Sequence, residues 1–254
     1  MEKKYTFTLA KSLFFALGLT IAGPSEVVAE GDDADMQALI RKTLLENPEI
    51  IQEALQILQE RQVLEQQRQQ AAALETAREA LMSGDLTPVG GNPNGDVVLI
   101  EFFDYQCGFC KRAFPSVKDA LAQDGQVKMI YKEFAILGPQ SVKAARAALA
   151  AHKQGQYHAF HDQLMQMRGR LSERKIMDLA QSLNLDLERL RQDMDSQEIT
   201  DELQRTRDLA QQLNITGTPG FIIGDIIVPG VLPTKDLLAA IQQARRDKAK
   251  KEAG

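Results

Sequence analysis

The stretch Val97-Val98-Leu99-Ile100-Glu101-Phe102-Phe103-Asp104-Tyr105-Gln106-Cys107-Gly108-Phe109-Cys110-Lys111-Arg112 decides how the rest of the chain is read. Its first seven residues are aliphatic, β-branched or aromatic apart from one acid, which is the make-up of a buried strand. Phe114, Val117 and Leu121 then recur at helical spacing. Between strand and helix lie the only two cysteines of the chain, Cys107 and Cys110, with two residues between them. A thiolate attacks a disulfide and a thiol does not. Unpaired backbone N–H groups and the macrodipole favour negative charge at a helix N-terminus. Cys107 falls at that end and is the candidate attacking sulfur. Cys110 folds back from the first helical turn to close the ring and is the candidate resolving cysteine. Gly108 makes little steric demand beside an exposed sulfur, and Phe109 offers a substrate an apolar contact.

A cysteine pair has other uses. Structural zinc needs four ligands as a rule, and no second pair is present. His152, His158 and His161 lie downstream on a predicted helix and complete no zinc-finger spacing. A structural disulfide between residues three apart closes almost no loop. A Cu(I) site made by the two thiolates stays open as a function of a different class. Strand, Cys-x-x-Cys and helix together point first to thiol redox chemistry in a thioredoxin-like domain.

Far downstream stands Ile215-Thr216-Gly217-Thr218-Pro219-Gly220-Phe221-Ile222-Ile223-Gly224-Asp225. Proline directly before an apolar strand is unusual, because it removes a ladder donor. Taken alone it reads as a trans-proline turn, since most X-Pro bonds are trans. Taken together, residues 101–110 and Gly217-Thr218-Pro219 resemble the DsbA family of bacterial thiol-disulfide oxidoreductases. The ScsC branch, with its added N-terminal oligomerisation segment, is the nearer likeness. The resemblance covers the chain from about Val97 onward. It implies a thioredoxin fold with an inserted helical subdomain, a cis Pro219 opposite the cysteines, and a Thr218 backbone offered to the substrate. Gly217 and Thr218 thereby join Gly108 and Phe109 as substrate contacts. It also implies that Glu101, six residues before Cys107, is a buried acid moving protons to and from Cys110; the plainer reading is a solvent-facing strand residue. Strongly oxidising relatives carry Pro-His between the cysteines and Val before the proline. Gly108-Phe109 and Thr218 are more similar to isomerase-type sites.

With 254 residues the chain holds one domain plus an accessory region. Net charge is −5, and no basic run argues for a nucleic-acid partner. Residues 1–29 have the form of a signal peptide: Lys3, Lys4 and Lys11, then an apolar run over residues 13–22, then Val27-Val28-Ala29 before Glu30. The run is too short to span a membrane. Export to the periplasm fits disulfide chemistry.

Residues 30–86 contain no cysteine and no aromatic residue. Residues 36–45 read as a short amphipathic helix. Asn47 then reads as the N-cap of a second helix, with Pro48 at its first position. Ile51, Ala54, Leu55 and Leu58 share one face of that helix. Residues 66–70 are polar all round and read as a spacer helix or a linker; Ala73, Leu74, Ala77 and Leu81 follow. Two short apolar faces make no core of their own. They dock on the catalytic domain or on copies of themselves, and the ScsC resemblance favours self-association, as a trimer.

Residues 86–96 carry turn chemistry and open the catalytic domain. Residues 127–134 read as a second core strand, with Lys132 and Glu133 at solvated strand ends. Helices follow at 141–152, 157–167, 172–183 with Ser172 as N-cap, and 185–213. Phe221-Ile222-Ile223 and Ile226-Ile227-Val228 flank Gly224-Asp225 as a hairpin. A last helix opens at Pro233-Thr234 and ends in a basic solvated tail, residues 245–251.

The resulting expectation is an α/β chain: a thioredoxin-like fold with an inserted helical subdomain, preceded by an N-terminal helical oligomerisation segment. Residues 1–29 are the signal peptide, 30–86 the oligomerisation segment and linker, and 87–254 the catalytic domain, with the insertion at about 138–213. The catalytic set is Cys107, Cys110, Thr218, Pro219 and Glu101, with no metal and no cofactor assigned. The expected activity is isomerase or reductase chemistry on protein disulfides, with a monomeric dithiol oxidase as the alternative. Its partners are thiol- or disulfide-bearing proteins and a membrane redox protein.

Overall fold

Asn47 and Pro48 interrupt the helical start of the chain. The computed structural model describes residues 30–253, and the signal-peptide reading lies outside the described residues. Helix α1 is Glu30–Glu46, longer at its start than the apolar spacing suggests, and helix α2 is Glu49–Met82. Asn47 does not cap α2. Its side-chain Nδ2 and its backbone N–H both donate to the Thr43 carbonyl, at 2.9 and 3.0 Å, so it closes the end of α1. Pro48 precedes the first residue of α2. The polar residues 66–70 are helical throughout.

The chain forms two compact units that part between Gln59 and Glu60. In the first, the apolar residues lie open to solvent: Leu39 is 59% exposed, Leu45 72% and Leu55 55%. No helix among the described residues is long and apolar enough to cross a membrane.

The second unit is built on a five-stranded sheet of order β1-β3-β2-β4-β5. Strands β2 (Val97–Phe103) and β3 (Val127–Glu133) are parallel, joined across helix α3 (Gly108–Asp124). Strands β4 (Gly220–Ile223) and β5 (Ile226–Pro229) are antiparallel to β2 and β4. Strand β1 (Val89–Gly91) pairs antiparallel with β3, where sequence suggested only turns. It is three residues long and two of them are glycine, so it carries no strand signature of its own.

Between β3 and β4 lie helices α4 (Pro139–Lys153), α5 (Tyr157–Gln166), α6 (Glu173–Ser182), α7 (Leu187–Met194) and α8 (Gln197–Gln212). Six buried alanines on α4 let the neighbouring helices approach closely. Ser172, Asp186 and Ser196 cap α6, α7 and α8 by accepting from backbone N–H groups.

Alternation along β2 sends its residues to two layers. Val97 and Leu99 meet Ala113 and Val117 of α3 and Leu237 and Ile241 of the last helix, α9 (Thr234–Ala253). Ile100 and Phe102 meet Leu209 and Leu213 together with Leu74, Ala77 and Leu81 of α2. The end of α2 is thus part of this core. Helix α9 continues through the final basic residues; Arg246, Lys248, Lys250 and Lys251 are exposed as expected, but Arg245 is not solvated and reaches Asp96 at 2.6 Å and Asp124 at 2.8 Å. Lys132 and Glu133 are also buried, at 0% and 3% exposure, rather than at solvated ends. Lys132 Nζ donates to Thr87 Oγ1 at 3.2 Å and lies 3.8 Å from Glu202, so its buried charge has a partner.

Leu81 is 1% exposed, so Leu81→Ala should lower unfolding free energy by about 2–5 kcal/mol in urea titration. A loss below about 1 kcal/mol would mean that the end of α2 is not a core element.

Candidate active site

Strand β2 delivers the chain to a turn built by Asp104. Its Oδ1 accepts from the Gln106 N–H and the Ser141 hydroxyl, both at 2.7 Å. Its Oδ2 accepts from the backbone N–H groups of Ile136 and Leu137, both at 2.9 Å. One buried carboxylate therefore fastens the turn before the cysteines to the segment after β3. The sequence reading passed over Asp104; the signal was an Asp at the end of the strand, a side chain suited to bonding the backbone N–H two residues on, here that of Gln106.

Cys107 is the residue before α3, with extended backbone angles of −71° and 114°. Its carbonyl accepts from the Lys111 N–H at 3.1 Å, which starts the helical ladder. Its Sγ lies 3.2 Å from the Thr218 carbonyl and donates to it. The Thr218–Pro219 bond is cis. Strand β4 begins at Gly220, paired with Phe102, so the loop ends beside the C-terminal end of β2. A Cβ at Gly220 would stand 2.8 Å from Ile215, so glycine is needed for that close approach. Gly217 and Gly108 have open space at that position. Phe109 is 57% exposed, with the Arg112 guanidinium 4.1 Å over its ring.

Cys110 is fully buried behind Cys107. Burial pushes its thiol up, a hydrogen bond from the Asp104 backbone pulls it partly back, and the charges of Glu101 and Cys107 add to the rise. Cys107 is not the exposed sulfur expected from sequence: both cysteines are buried, Cys107 at 6% exposure with its sulfur against the Thr218 carbonyl and Cys110 at 0%. Glu101 is 3% exposed, and its Oε1 has no hydrogen-bond partner. Burial alone pushes its carboxyl up to about 8. A carboxyl in this state keeps its proton near neutral pH and exchanges it close to there.

A second buried polar group lies in the same unit. Glu133 Oε1 accepts from the Tyr105 and Tyr157 hydroxyls, each at 2.8 Å, and the Tyr105 hydroxyl is 3.0 Å from His161 Nδ1. Burial pushes Glu133 up to about 8 against the pull of both tyrosines, and lowers His161 to about 3. His158 Nε2 lies 2.9 Å from the Val89 carbonyl. Among the described residues no cluster of three or more His, Cys, Asp or Glu could hold a metal ion.

The structure thus gathers Cys107, Cys110, Gly108, Phe109, Thr218 and Pro219 at one end of the sheet, with Gly217 in the same loop. Glu101 lies within electrostatic reach of Cys110.

Between the unfolded value near 4.5 and the folded value of about 8, native Glu101 holds a proton that the unfolded chain has released. Its contribution to stability is therefore present at low pH and is lost as pH rises through that window. Glu101→Gln removes this loss. From about pH 5 to pH 8 it should gain on the wild type by up to about 4 kcal/mol in urea titrations. Parallel curves for the two chains would show that Glu101 ionises freely in the fold.

Comparison with known proteins adds a relationship to this geometry. The family model of the DSBA-like thioredoxin domain matches residues 98–242. A thioredoxin-like oxidoreductase from Silicibacter pomeroyi DSS-3 is 43% identical, over 66% of this chain and 98% of that one, with a TM-score of 0.65. ScsC of Proteus mirabilis in a transitional conformation is 31% identical, over 87% of this chain and 98% of that one, with a TM-score of 0.64. A curated relative, the Na(+)/H(+) antiporter NhaA 3 of Salinispora tropica, is 27% identical over 162 residues. That match covers 63% of this chain and 25% of the antiporter, so the chain spans about a quarter of that relative's length. By the family model, which matches more than half of its residues, the chain belongs to the DsbA-like thioredoxin-domain family of thiol-disulfide oxidoreductases.

Proposed function

We propose that the chain is an exported protein disulfide isomerase or reductase working through Cys107 and Cys110. The observation that carries this reading is the unequal pair: Cys107 at the start of α3 with its sulfur against the Thr218 carbonyl, Cys110 sealed behind it. The Cys107 thiolate attacks one sulfur of a substrate disulfide. The substrate S–S bond breaks, its other sulfur leaves as a thiolate, and Cys107 is joined to the substrate. In isomerisation a different substrate thiolate attacks the mixed disulfide and Cys107 departs as thiolate, with no net change in electrons. In reduction Cys110 gives up its proton and attacks Cys107. The pair ends as a disulfide and the substrate as a dithiol. Glu101, titrating near neutral pH without a fixed partner, is suited to take that proton and return it. The Thr218 backbone and Phe109 hold the substrate segment beside the sulfur.

Isomerisation needs Cys107 reduced, which calls for a membrane-bound reducing partner. It also gains from several sites acting on one misfolded chain, because tethering raises effective concentration. The open apolar residues Leu39, Leu45 and Leu55 offer a surface for self-association, and the ScsC resemblance favours a trimer. Because Leu74, Ala77 and Leu81 belong to the core of the second unit, a separable catalytic domain begins before them, near Glu60.

A chain from Glu30 should sediment as an oligomer and refold a protein with scrambled disulfides. A chain from Glu60 should sediment as a monomer, still reduce a small disulfide, and lose most of the refolding activity. A monomeric chain from Glu30 would remove the basis for isomerisation and leave a dithiol oxidase as the better reading.

A further inference from the structure

The surface beside Cys107 carries a charge opposite to that of the chain. Net charge is −5, yet Lys111 and Arg168 line one groove with Gln106, Arg112 stands over Phe109, and Lys175 bonds the backbone at Arg168 and Arg170. A groove next to the active-site turn is lined by Gln106, Lys111, Phe114, Met165, Met167 and Arg168. Lys111 Nζ donates to the Met167 carbonyl at 2.5 Å. Lys175 Nζ donates to the carbonyls of Arg168 and Arg170, at 3.4 and 3.1 Å. Lys111 thereby holds the segment after α5 against the start of α3 and Lys175 ties it to α6, and the Arg168 and Arg170 side chains are left exposed. Burial lowers Lys111 and the positive charge of Lys175 lowers it further, against a smaller opposing pull from the Asp104 carboxylate. None of the five forms a salt bridge among the described residues. The nearby acids are engaged elsewhere: Asp162 with Lys118, Glu173 with Lys143, and Asp104 with the turn. Exposed Phe109 and Leu137, the latter bonded through its carbonyl to Gln106, add apolar surface at the same place.

We infer that this surface selects substrates whose cysteines are flanked by acidic residues, an inference that rests on the thiol-disulfide exchange proposed above. Unpaired cations around a reactive sulfur raise the local concentration of anionic chains and speed their encounter. Arg112 flanks the site from the Phe109 side, and Arg168 lines the groove, with exposed Arg170 two residues further along the same segment. An extended segment with carboxylates on either side of its cysteine meets cations on both sides.

The test uses the full chain with its Cys107–Cys110 pair oxidised. It is mixed with three cysteine peptides of equal length, flanked by acidic, neutral or basic residues, and reduction of the pair is followed by stopped flow. In low salt the acidic peptide should react about tenfold or more faster than the basic one. The gap should close at roughly 0.5 M salt. Arg168→Glu with Arg170→Glu should cut the acidic-to-basic ratio severalfold. Equal rates for acidic and basic peptides, or a gap indifferent to salt, would overturn this inference while leaving thiol exchange standing. No reaction with any of the three would overturn the exchange reading and this inference with it.

Discussion

Strand β2 is held on both sides, and that double pairing organises the site. Its parallel register with β3 sets Glu101 beside Tyr131, and its antiparallel register with β4 sets Glu101 beside Phe221. A slip of one residue on either side would turn every side chain of the strand to the opposite face. Leu99 would leave the α3 layer, and Glu101 would move away from Cys110. The same register brings Gly220 opposite Phe102, which places the Thr218 carbonyl against the Cys107 sulfur. A contact between residues far apart in the chain is therefore a consequence of strand pairing.

On this frame the fold buries several ionisable groups, and they differ in how they are satisfied. Asp104 is bonded through both oxygens and ties two segments together. Lys132 faces Glu202 and Thr87, and Glu133 accepts from two tyrosines. These groups are compensated, and deleting one partner would strand the other. Glu101 is different: burial raises its carboxyl to about 8 while one oxygen goes without a partner. A group left unsatisfied beside a thiol that must lose a proton is more useful to chemistry than to stability.

What could be read in advance follows the range of each signal. The cysteine spacing, the β2 run and the Gly224-Asp225 hairpin are local patterns, and the structure has all three. The buried status of Glu101 was suggested by family resemblance alone, since the strand pattern by itself reads as solvent-facing there. Lys132 and Glu133 looked like strand ends because their partners lie on distant helices that only tertiary packing brings near. Arg245 looked solvated for the same reason, since Asp96 lies just before β2 and Asp124 at the end of α3, both far away in the chain. Asn47 was a different kind of miss: a good N-cap residue also suits a helix end, and here the Thr43 carbonyl took it. The cluster of cations near Cys107 was hidden because Arg168, Arg170 and Lys175 come from the segment after α5 and from α6, far along the chain.

The central claim is the division of labour between the two sulfurs, and covalent trapping tests it most directly. Reduced Cys110→Ser and Cys107→Ser chains would each be mixed with a disulfide-bonded peptide, quenched with acid and analysed by intact mass and peptide mapping. The account predicts a mixed disulfide on Cys107 that accumulates in Cys110→Ser, with little or none in Cys107→Ser because Cys110 is sealed. Equal trapping on both sulfurs, or trapping on Cys110 alone, would contradict it.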